Sequence, residues 1–496
     1  MQLILTPEQM RALEARAFSL GTPSLLLMEN AARSAHSALK SILCGLAGKD
    51  ILYLIGEGNN GGDGLAMARL CRMDGGRPRI LLTGTPRTQD SLANLSYVKA
   101  LGIPVSEWGP ESNEGSLLPS PDAVIDAVYG TGYHGELPEN IGRLTKVINS
   151  WGAALVAVDA PSGMDSLSGE IPGGSFTALY TVVLGHLKTG LCLTRHPDKT
   201  GELLCVPIGI PEKAYDIFSN DELISALEPG DLKERLPRRA VNAHKGDCGH
   251  ILMYMGSMGM AGAAGMAAQA ALACLRSGAG LVTIVCEPGL IPILQALVPN
   301  AMCLPVGQTL ENPPAYDVFA VGCGLGVSEE IWKNIHALWR RDKPSIWDAD
   351  ALNLLAEHPM DLGEKTVITP HPGEAARLLN WSTEEIIRAP LDAAAALQQK
   401  YCCTVVLKGA VSVIRDEKHM ALNLEGSPAL AKGGSGDALT GVIASLLVPQ
   451  LNNPPFEAAR TACLWHGMAG QEAARQMGVL SPLTSDVINC LGCVSQ

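Results

Sequence analysis

The chain has 496 residues, 47% of them hydrophobic and 18% charged, with 53 glycines. That suits two cores of roughly a few hundred residues each and excludes a disordered chain. A formal net charge of −13 argues against nucleic acid or an anionic membrane as a partner, and leaves small anionic ligands that need only local donors.

Thr6-Pro7-Glu8 signals the start of helical sequence running to Leu46, with a second helix opening near Ser24. Met1 to Arg16 carries Glu8 and Glu14 among apolar positions and lacks the basic start and apolar run of a signal peptide. No segment reaches the roughly 18 apolar residues of a membrane span. A cytoplasmic location is expected. The fourteen cysteines are scattered singly except for Cys402-Cys403 and Cys490-Leu-Gly-Cys493, and reduced core thiols are the expectation.

Ile51 to Ile55 is a short continuous apolar run, as in a buried parallel strand. It feeds Gly56-Glu57-Gly58-Asn59-Asn60-Gly61-Gly62-Asp63-Gly64, a glycine turn, with a helix expected over Leu65 to Met73. The turn formally satisfies GxGxxG, but the next strand, Arg79 to Thr83, ends without an acidic residue to grip a ribose. Asn59, Asn60 and Asp63 suit a turn that holds a phosphate and a cation together. Further strands at Ala123 to Val128 and Ala154 to Val158 end in Asp126-Ala-Val-Tyr-Gly130-Thr131-Gly132 and Asp159-Ala-Pro-Ser162-Gly-Met-Asp165. In an open α/β sheet ligands gather at the C-terminal strand ends, so Asn60, Asp126 and Asp159 are expected to converge. Lys188, after the strand Tyr180 to Leu184, is equally compatible with that cleft and with solvent.

The motifs MENAAR, GNNGGDG, DAVYGTG and VDAPSGMD resemble the YjeF N-terminal domain family, the NAD(P)HX epimerases, which interconvert the two C6 epimers of hydrated NADH or NADPH. The resemblance implies that Asn59, Asn60, Gly61, Gly62 and Asp63, with Gly130, Thr131, Gly132, Tyr133, His134, Gly135 and Glu136, cradle the substrate. It also implies that Asn60, Asp126 and Ser162 bind a potassium ion, and that Asp159 is the acid/base residue at the C6 hydroxyl. Oxygen ligands suit a hard monovalent cation. Glu57 departs from the uncharged residue usual there.

A polar stretch from Pro211 to Pro237, containing Pro229-Gly230, marks the expected boundary, with domains at 1–227 and 228–496. Arg238, Arg239, His244 and Lys245 form a short basic patch. The α/β alternation then restarts at His250. His371 stands between two prolines in a rigid turn, Thr404 to Leu407 is a strand running into Lys408-Gly409-Ala410-Val411-Ser412, and no GxxxxGK[ST] is present. Ala431 to Gly441 reads as a glycine-rich turn feeding an apolar helix from Ala438, so unpaired N–H groups and the helix dipole make an anion site with Asp437 at its lip.

HKGDCGHILMYMGSMGMAGAA, GCGLG, WDADAL, TPHPGE, VLKGA and GSPALAKGGSGDALTG match in order the ribokinase-like YjeF C-terminal domain family, the ADP- or ATP-dependent NAD(P)HX dehydratases. The fold implied is a Rossmann-like αβα domain followed by a ribokinase-like αβα domain. The implied roles set the hydrate against Ala263, Gly324, His371 and Asp437, and the nucleotide against Lys408, Gly409, Ala410, Val411, Ser412 and Gly436, with magnesium and ADP (or ATP). Asp437 would deprotonate the C6 hydroxyl for phosphoryl transfer. Cys323 and Lys432 replace the usual proline and threonine. NAD(P)HX and an adenine nucleotide are the expected partners, with homo-oligomers expected by resemblance. The competing reading is a ribokinase-like small-molecule kinase with a non-catalytic N-terminal binding domain.

Overall fold

In the computed structural model, residues 1–112, 120–219, 223–258 and 261–495 are described, apart from the side chains of Ala261 and Ala263. The chain forms two compact units, one of Leu3–Ser219, the other of Asn220–Gln496 with Met1–Gln2.

The first unit contains β1 (Gln2–Leu5), β2 (Asp50–Ile55), β3 (Arg77–Leu82), β4 (Val105–Glu107), β5 (Ala123–Ala127), β6 (Ala154–Val158), β7 (Tyr180–Leu184), β8 (Leu187–Lys188) and β9 (Glu202–Val206). Seven of these make a parallel sheet in the order β4-β3-β2-β5-β6-β7-β9, and β1 pairs in parallel with β8. The strand order reverses between β2 and β5, the position where doubly wound sheets open a crevice. Ile51 to Ile55 and β5 are wholly buried, as strands covered on both faces require.

The GNNGGDG stretch differs from expectation. It is not a turn before a helix but the first turns of the helix Asn59–Met73, with Gly58 as its cap. The reason is packing. A Cβ on Gly61 would lie 2.1 Å from the Gly56 carbonyl oxygen, and one on Gly64 would lie 2.6 Å from the Ala127 Cβ. These glycines bring the helix start down onto the ends of β2 and β5 while leaving its first N–H groups free.

The second unit holds β10 (Ile224–Ala226), β11 (His250–Tyr254), β12 (Leu281–Cys286), β13 (Met302–Pro305), β14 (Val318–Val321), β15 (Ser345–Trp347), β16 (Thr366–Ile368), β17 (Thr404–Leu407), β18 (Ser412–Arg415) and β19 (Met420–Asn423). Its sheet runs β13-β12-β11-β14-β15-β16-β17-β18-β19-β10, parallel as far as β17, with β18 antiparallel to both of its neighbours. Ile224–Ala226, ahead of the boundary expected at 227/228, pairs with β19.

The apolar core of this unit includes the alanine-rich helix Ala261–Arg276, the helix Ser435–Leu446 and the long helix Pro455–Met477. Close approach of the first two needs Gly441, where a Cβ would sit 2.1 Å from the Ala270 carbonyl oxygen. Here too the helix begins earlier than expected, at Ser435, so Gly436 and Asp437 lie in its first turn. All fourteen cysteines are free thiols. Among the described residues no helix is long and apolar enough to cross a membrane.

Candidate active sites

A cleft of about 770 Å³ opens at the β2/β5 switch point. Asn59, Asn60, Asp63, Gly130, Thr131, Gly132, Tyr133, His134 and Asp159 line it, as does Lys188. Gly61 and Gly62 face packing partners instead, Gly62 meeting Met28 and Ser91. Gly135 and Glu136 are not among the lining residues, and Glu136 backs onto Gly173.

Asp159 follows β6 with φ +68, a left-handed conformation that a non-glycine residue keeps only where its surroundings hold it. Its Oδ1 accepts from Lys188 Nζ at 2.6 Å and Leu184 N at 3.3 Å. Its Oδ2 accepts from Thr131 Oγ1 at 2.6 Å and Thr131 N at 3.2 Å. Lys188 is 1% exposed, so the solvent alternative for it is excluded. Burial alone would push the Asp159 carboxyl up, but the Lys188 charge and these hydrogen bonds outweigh it and hold the group below the ordinary aspartate value.

Beneath the cleft, Asp126 at the end of β5 is fully buried. Its oxygens accept from Ser162 Oγ at 2.6 Å, Ser162 N at 2.7 Å and Val128 N at 3.2 Å. Burial pushes its carboxyl up to about 6, against those hydrogen bonds. Asn60 presents both amide atoms buried and without a hydrogen-bond partner, and its side chain meets Gly130 beside Asp159. The Asp126 carboxyl with the Ser162 hydroxyl, and the orphaned Asn60 amide near Asp159, are buried oxygen donors of the kind a hard monovalent ion takes. Among the described residues no group of three His, Cys, Asp or Glu side chains offers a transition-metal site.

The second cavity, about 1020 Å³, lies over the ends of β15, β16 and β17. Asp348 follows β15, and Gly322 makes room for it, since a Cβ there would lie 1.8 Å from the Asp348 carbonyl oxygen. Lys408 Nζ donates to Asp348 Oδ1 at 2.7 Å and stands 4.0 Å from Glu374, while Thr440 Oγ1 donates to Asp348 Oδ2 at 2.9 Å. Burial would lower the Lys408 ammonium, but these two carboxylates raise it above its ordinary value.

Asp437 is 9% exposed. Burial first, then the Asp348 charge, raises its carboxyl above the ordinary value, against the Cys323 hydrogen bond and the Lys408 charge. His371 caps the helix Pro372–Leu379, its Nδ1 accepting from Gly373 N at 3.0 Å, and burial together with Lys408 keeps its imidazole below its ordinary value. Lys408, Gly409, Ala410, Ser412 and Gly436 line the cavity with Asp437 and His371; Val411 and Gly324 do not. The Ala263 side chain lies outside the described residues. Lys432 is tied to the backbone, donating to the Leu480 and Pro482 carbonyls at 2.8 and 2.6 Å.

Asp348, Glu374 and His466 also line this cavity although none was singled out from the sequence. Asp348 and Glu374 stood in quoted motifs, WDADAL and TPHPGE, so their signal was present. His466 lies within a largely buried helix and gave none.

Residues 24–190 match the family described as YjeF-related protein N-terminus, and residues 251–491 match NAD(P)H-hydrate dehydratase. Over 494 residues, 98% of each chain, the protein is 35% identical to the bifunctional NAD(P)H-hydrate repair enzyme Nnr of Coxiella burnetii. The chain belongs to the bifunctional NAD(P)H-hydrate repair enzyme family. Its relative from Escherichia coli K12, of the same name, is 35% identical over 452 residues, 89% of this chain and 84% of that one. Among solved structures, the ADP/ATP-dependent NAD(P)H-hydrate dehydratase of Bacillus subtilis, co-crystallised with ATP and Mg2+, is 28% identical with a TM-score of 0.50, covering 55% of this chain and 97% of that one. Membership in this repair-enzyme family agrees with the ribokinase-like fold of the second unit and the parallel αβα fold of the first.

Proposed function

We propose that the N-terminal cleft interconverts the two C6 epimers of hydrated NADH and NADPH, and that the C-terminal cavity returns the S epimer to NAD(P)H at the expense of ADP or ATP. The observation that carries this reading is that one chain of this family keeps a polar strand-end site in each unit. The helix start at Asn59 to Asp63 and the loop Gly130 to His134 hold the substrate, the free N–H groups meeting its phosphates. Asn60, Asp126 and Ser162 would hold a potassium ion, whose charge would offset those phosphates. Asp159, ionised and fixed by Lys188 and Thr131, acts at the C6 hydroxyl.

In the C-terminal cavity Asp437 takes the proton of the C6 hydroxyl as its oxygen attacks the terminal phosphoryl group. A raised carboxyl makes it a stronger base for that step. The backbone N–H groups at Gly434 to Gly436 meet the transferred phosphoryl oxygens. Phosphate then departs with the C6–O electron pair, C5 gives up a proton and the ring double bond returns. Lys408, Gly409, Ala410 and Ser412 face the nucleotide, and magnesium would enter with its phosphates. The enzyme is expected to work as a homo-oligomer in the cytoplasm.

The test is an equilibrated mixture of both NADHX epimers with magnesium and ADP, ATP or no nucleotide, following NADH by absorbance and the epimers by chromatography. Full conversion of both epimers with one nucleotide supports both halves. A stalled R epimer removes the epimerase, and no NADH with either nucleotide removes the dehydratase in favour of a small-molecule kinase.

A further inference from the structure

Helix Pro7–Ser19 is set by a full capping box, Thr6 Oγ1 accepting from Gln9 N at 3.1 Å and Gln9 Oε1 from Thr6 N at 2.9 Å. Its buried stripe is Met10, Leu13 and Ala17, the i, i+3, i+7 spacing of a helix facing a core. Glu14 sits at i+4 on that same stripe. A carboxylate there replaces the apolar residue the pattern calls for, and an exposed salt bridge does not account for it. Its neighbour Arg11 is engaged by Glu8 at 2.8 Å, and among the described residues Glu14 has no hydrogen bond or ion pair. Glu14 is half-buried and lines the cleft that holds Asp63, Asp159 and Lys188.

The charges in this cleft do not balance. Among the described residues lining it, the one buried cation, Lys188, stands with the carboxyls of Glu14, Asp63 and Asp159, while Glu57 is paired with the exposed Arg87 and Asp90 also lines the cleft. Asp159 takes the lysine, and all four of its hydrogen bonds are made within the protein, two on each oxygen. Glu14 and Asp63 are left to share the cleft without a partner among the described residues. Charged groups facing Glu14 are Asp159, Lys188 and Arg11, and Asp63 lies within the same field.

We propose that Glu14 is the general acid of epimerisation, partnered with Asp159 as the base, so that the two carboxyls act on opposite faces of C6. This rests on the epimerase reading of the cleft. In the forward direction the C6–O bond breaks, its electron pair leaves with oxygen, and that oxygen takes the Glu14 proton and departs as water. The N1 lone pair closes an N1=C6 bond. Water then adds to the other face of C6, the electrons of N1=C6 return to N1, and the proton of the attacking water passes to Asp159. Exchange through solvent in the cleft restores a protonated Glu14 and an ionised Asp159. No oxidant or reductant is needed.

The environments agree with these roles. Burial, then the Asp159 charge, pushes the Glu14 carboxyl up to about 7 against Lys188 and Arg11, while Asp159 is held low. Two carboxyls driven apart in this way are a physical signature of an acid and a base sharing a site. A group needed in its protonated form is lost as pH rises past its own value, so epimerisation should fall as pH rises through about 7.

The experiment uses the full chain with NADHX enriched in one epimer and no nucleotide, following epimer interconversion by chromatography between acid and alkaline pH. Glu14→Gln is expected to lower kcat by about 100-fold or more, the range of general acid catalysis, with KM within about threefold and the alkaline fall removed. Glu14→Asp should recover at least about tenfold over the glutamine variant and move the inflection. A Glu14→Gln protein that keeps rate within about threefold, or that keeps the alkaline fall, overturns the proposal. If Glu14→Gln does not fold, the aspartate variant decides, since an unmoved inflection there also overturns it. A wild-type protein that does not interconvert the epimers at all sinks the epimerase reading, a result distinct from any failure of Glu14.

Discussion

Both units place a lysine beside an aspartate at a strand end, Lys188 buried and Lys408 half-buried, yet the two lysines treat the aspartate proposed for chemistry in opposite ways. Lys188 pairs directly with Asp159 at 2.6 Å and holds it ionised. Lys408 pairs instead with Asp348 at 2.7 Å, and Asp437 is left with a second carboxylate for a neighbour and a raised carboxyl. The difference teaches that a strand-end aspartate is not a role. A carboxyl held low stays ionised and ready to accept a proton far into the acid range, whereas one pushed up by burial and repulsion has more affinity for the proton it removes but is ionised only at higher pH.

The strongest way to break this comparison is to neutralise each aspartate separately. Asp437→Asn should lower dehydration of the S epimer by about 10²–10⁴-fold, and Asp159→Asn should lower epimerisation by a similar factor. Each should leave the other activity within about twofold, because the two cavities share no lining residue and effects at sites without shared partners are additive. Single-turnover assays of both reactions on both variants check this, and an Asp437→Asn protein that still makes NADH at near the normal rate removes Asp437 as the base.

Removing the lysines sharpens the comparison. Lys188→Met leaves Asp159 buried without its cation and should cost the N-terminal unit about 3–5 kcal/mol near neutral pH, read from its urea transition. The sign follows from the lowered Asp159 carboxyl: the pair stabilises fully above the ordinary value of 3.8, and that stability is lost as pH falls through the lower folded value. The gap between wild type and variant should therefore narrow in acid. Lys408→Met should cost less, because the Lys408 side chain is 20% exposed against 1% for Lys188, so less of that pair is withdrawn from water.

A smaller effect separates the two acid limbs. Asp437 must be ionised to act as a base, and its carboxyl lies above 3.8, so kcat/KM for dehydration should fall about tenfold per pH unit below that raised value. Epimerisation should hold its rate across the same interval, since Asp159 stays ionised there. Profiles with acid limbs at the same pH would contradict the contrast between the two sites.

Much of this was legible in the sequence, and the exceptions have physical causes. Strands such as Ala154–Val158, Tyr180–Leu184, Leu281–Cys286 and Thr404–Leu407 lie where runs rich in apolar and β-branched residues end at a glycine or a charged side chain, because burial on both faces leaves no alternation to misread. The two glycine-rich stretches were misread as turns. Helix propensity counts against glycine, whereas the tertiary structure demands it: at Gly61 and Gly64 another backbone or side chain occupies the place of a Cβ. Lys188 stood between two readings because a lone lysine carries no mark of burial, and its partner Asp159 is 29 residues away. Asp348 and Glu374 stand in the WDADAL and TPHPGE motifs, but their role as partners of Lys408 shows only once the ends of β15 and β16 are brought to it.

The smallest expected effect distinguishes two glycines two residues apart at the start of helix Ser435–Leu446. Gly434 caps the helix with φ +93, and a Cβ there would lie 2.1 Å from Gln269 Oε1 and 3.2 Å from Thr484 Oγ1. Gly434→Ala therefore meets both a left-handed backbone and a crowded cap, the backbone part alone costing about 1–2 kcal/mol. Gly436 has no such backbone demand. Its Cβ would lie 3.2 Å from Lys408 Nζ and 3.6 Å from Asp348 Oδ2, and alanine gains up to about 1 kcal/mol over glycine within a helix. Gly436→Ala should thus leave Tm nearly unchanged, yet raise the KM for nucleotide several-fold, because the new methyl crowds the ammonium that Asp348 holds beside the cavity. Gly434→Ala should lower Tm. Equal losses of Tm in both variants would mean that the helix start tolerates no side chain at either position, and that Lys408 is not what keeps Gly436 bare.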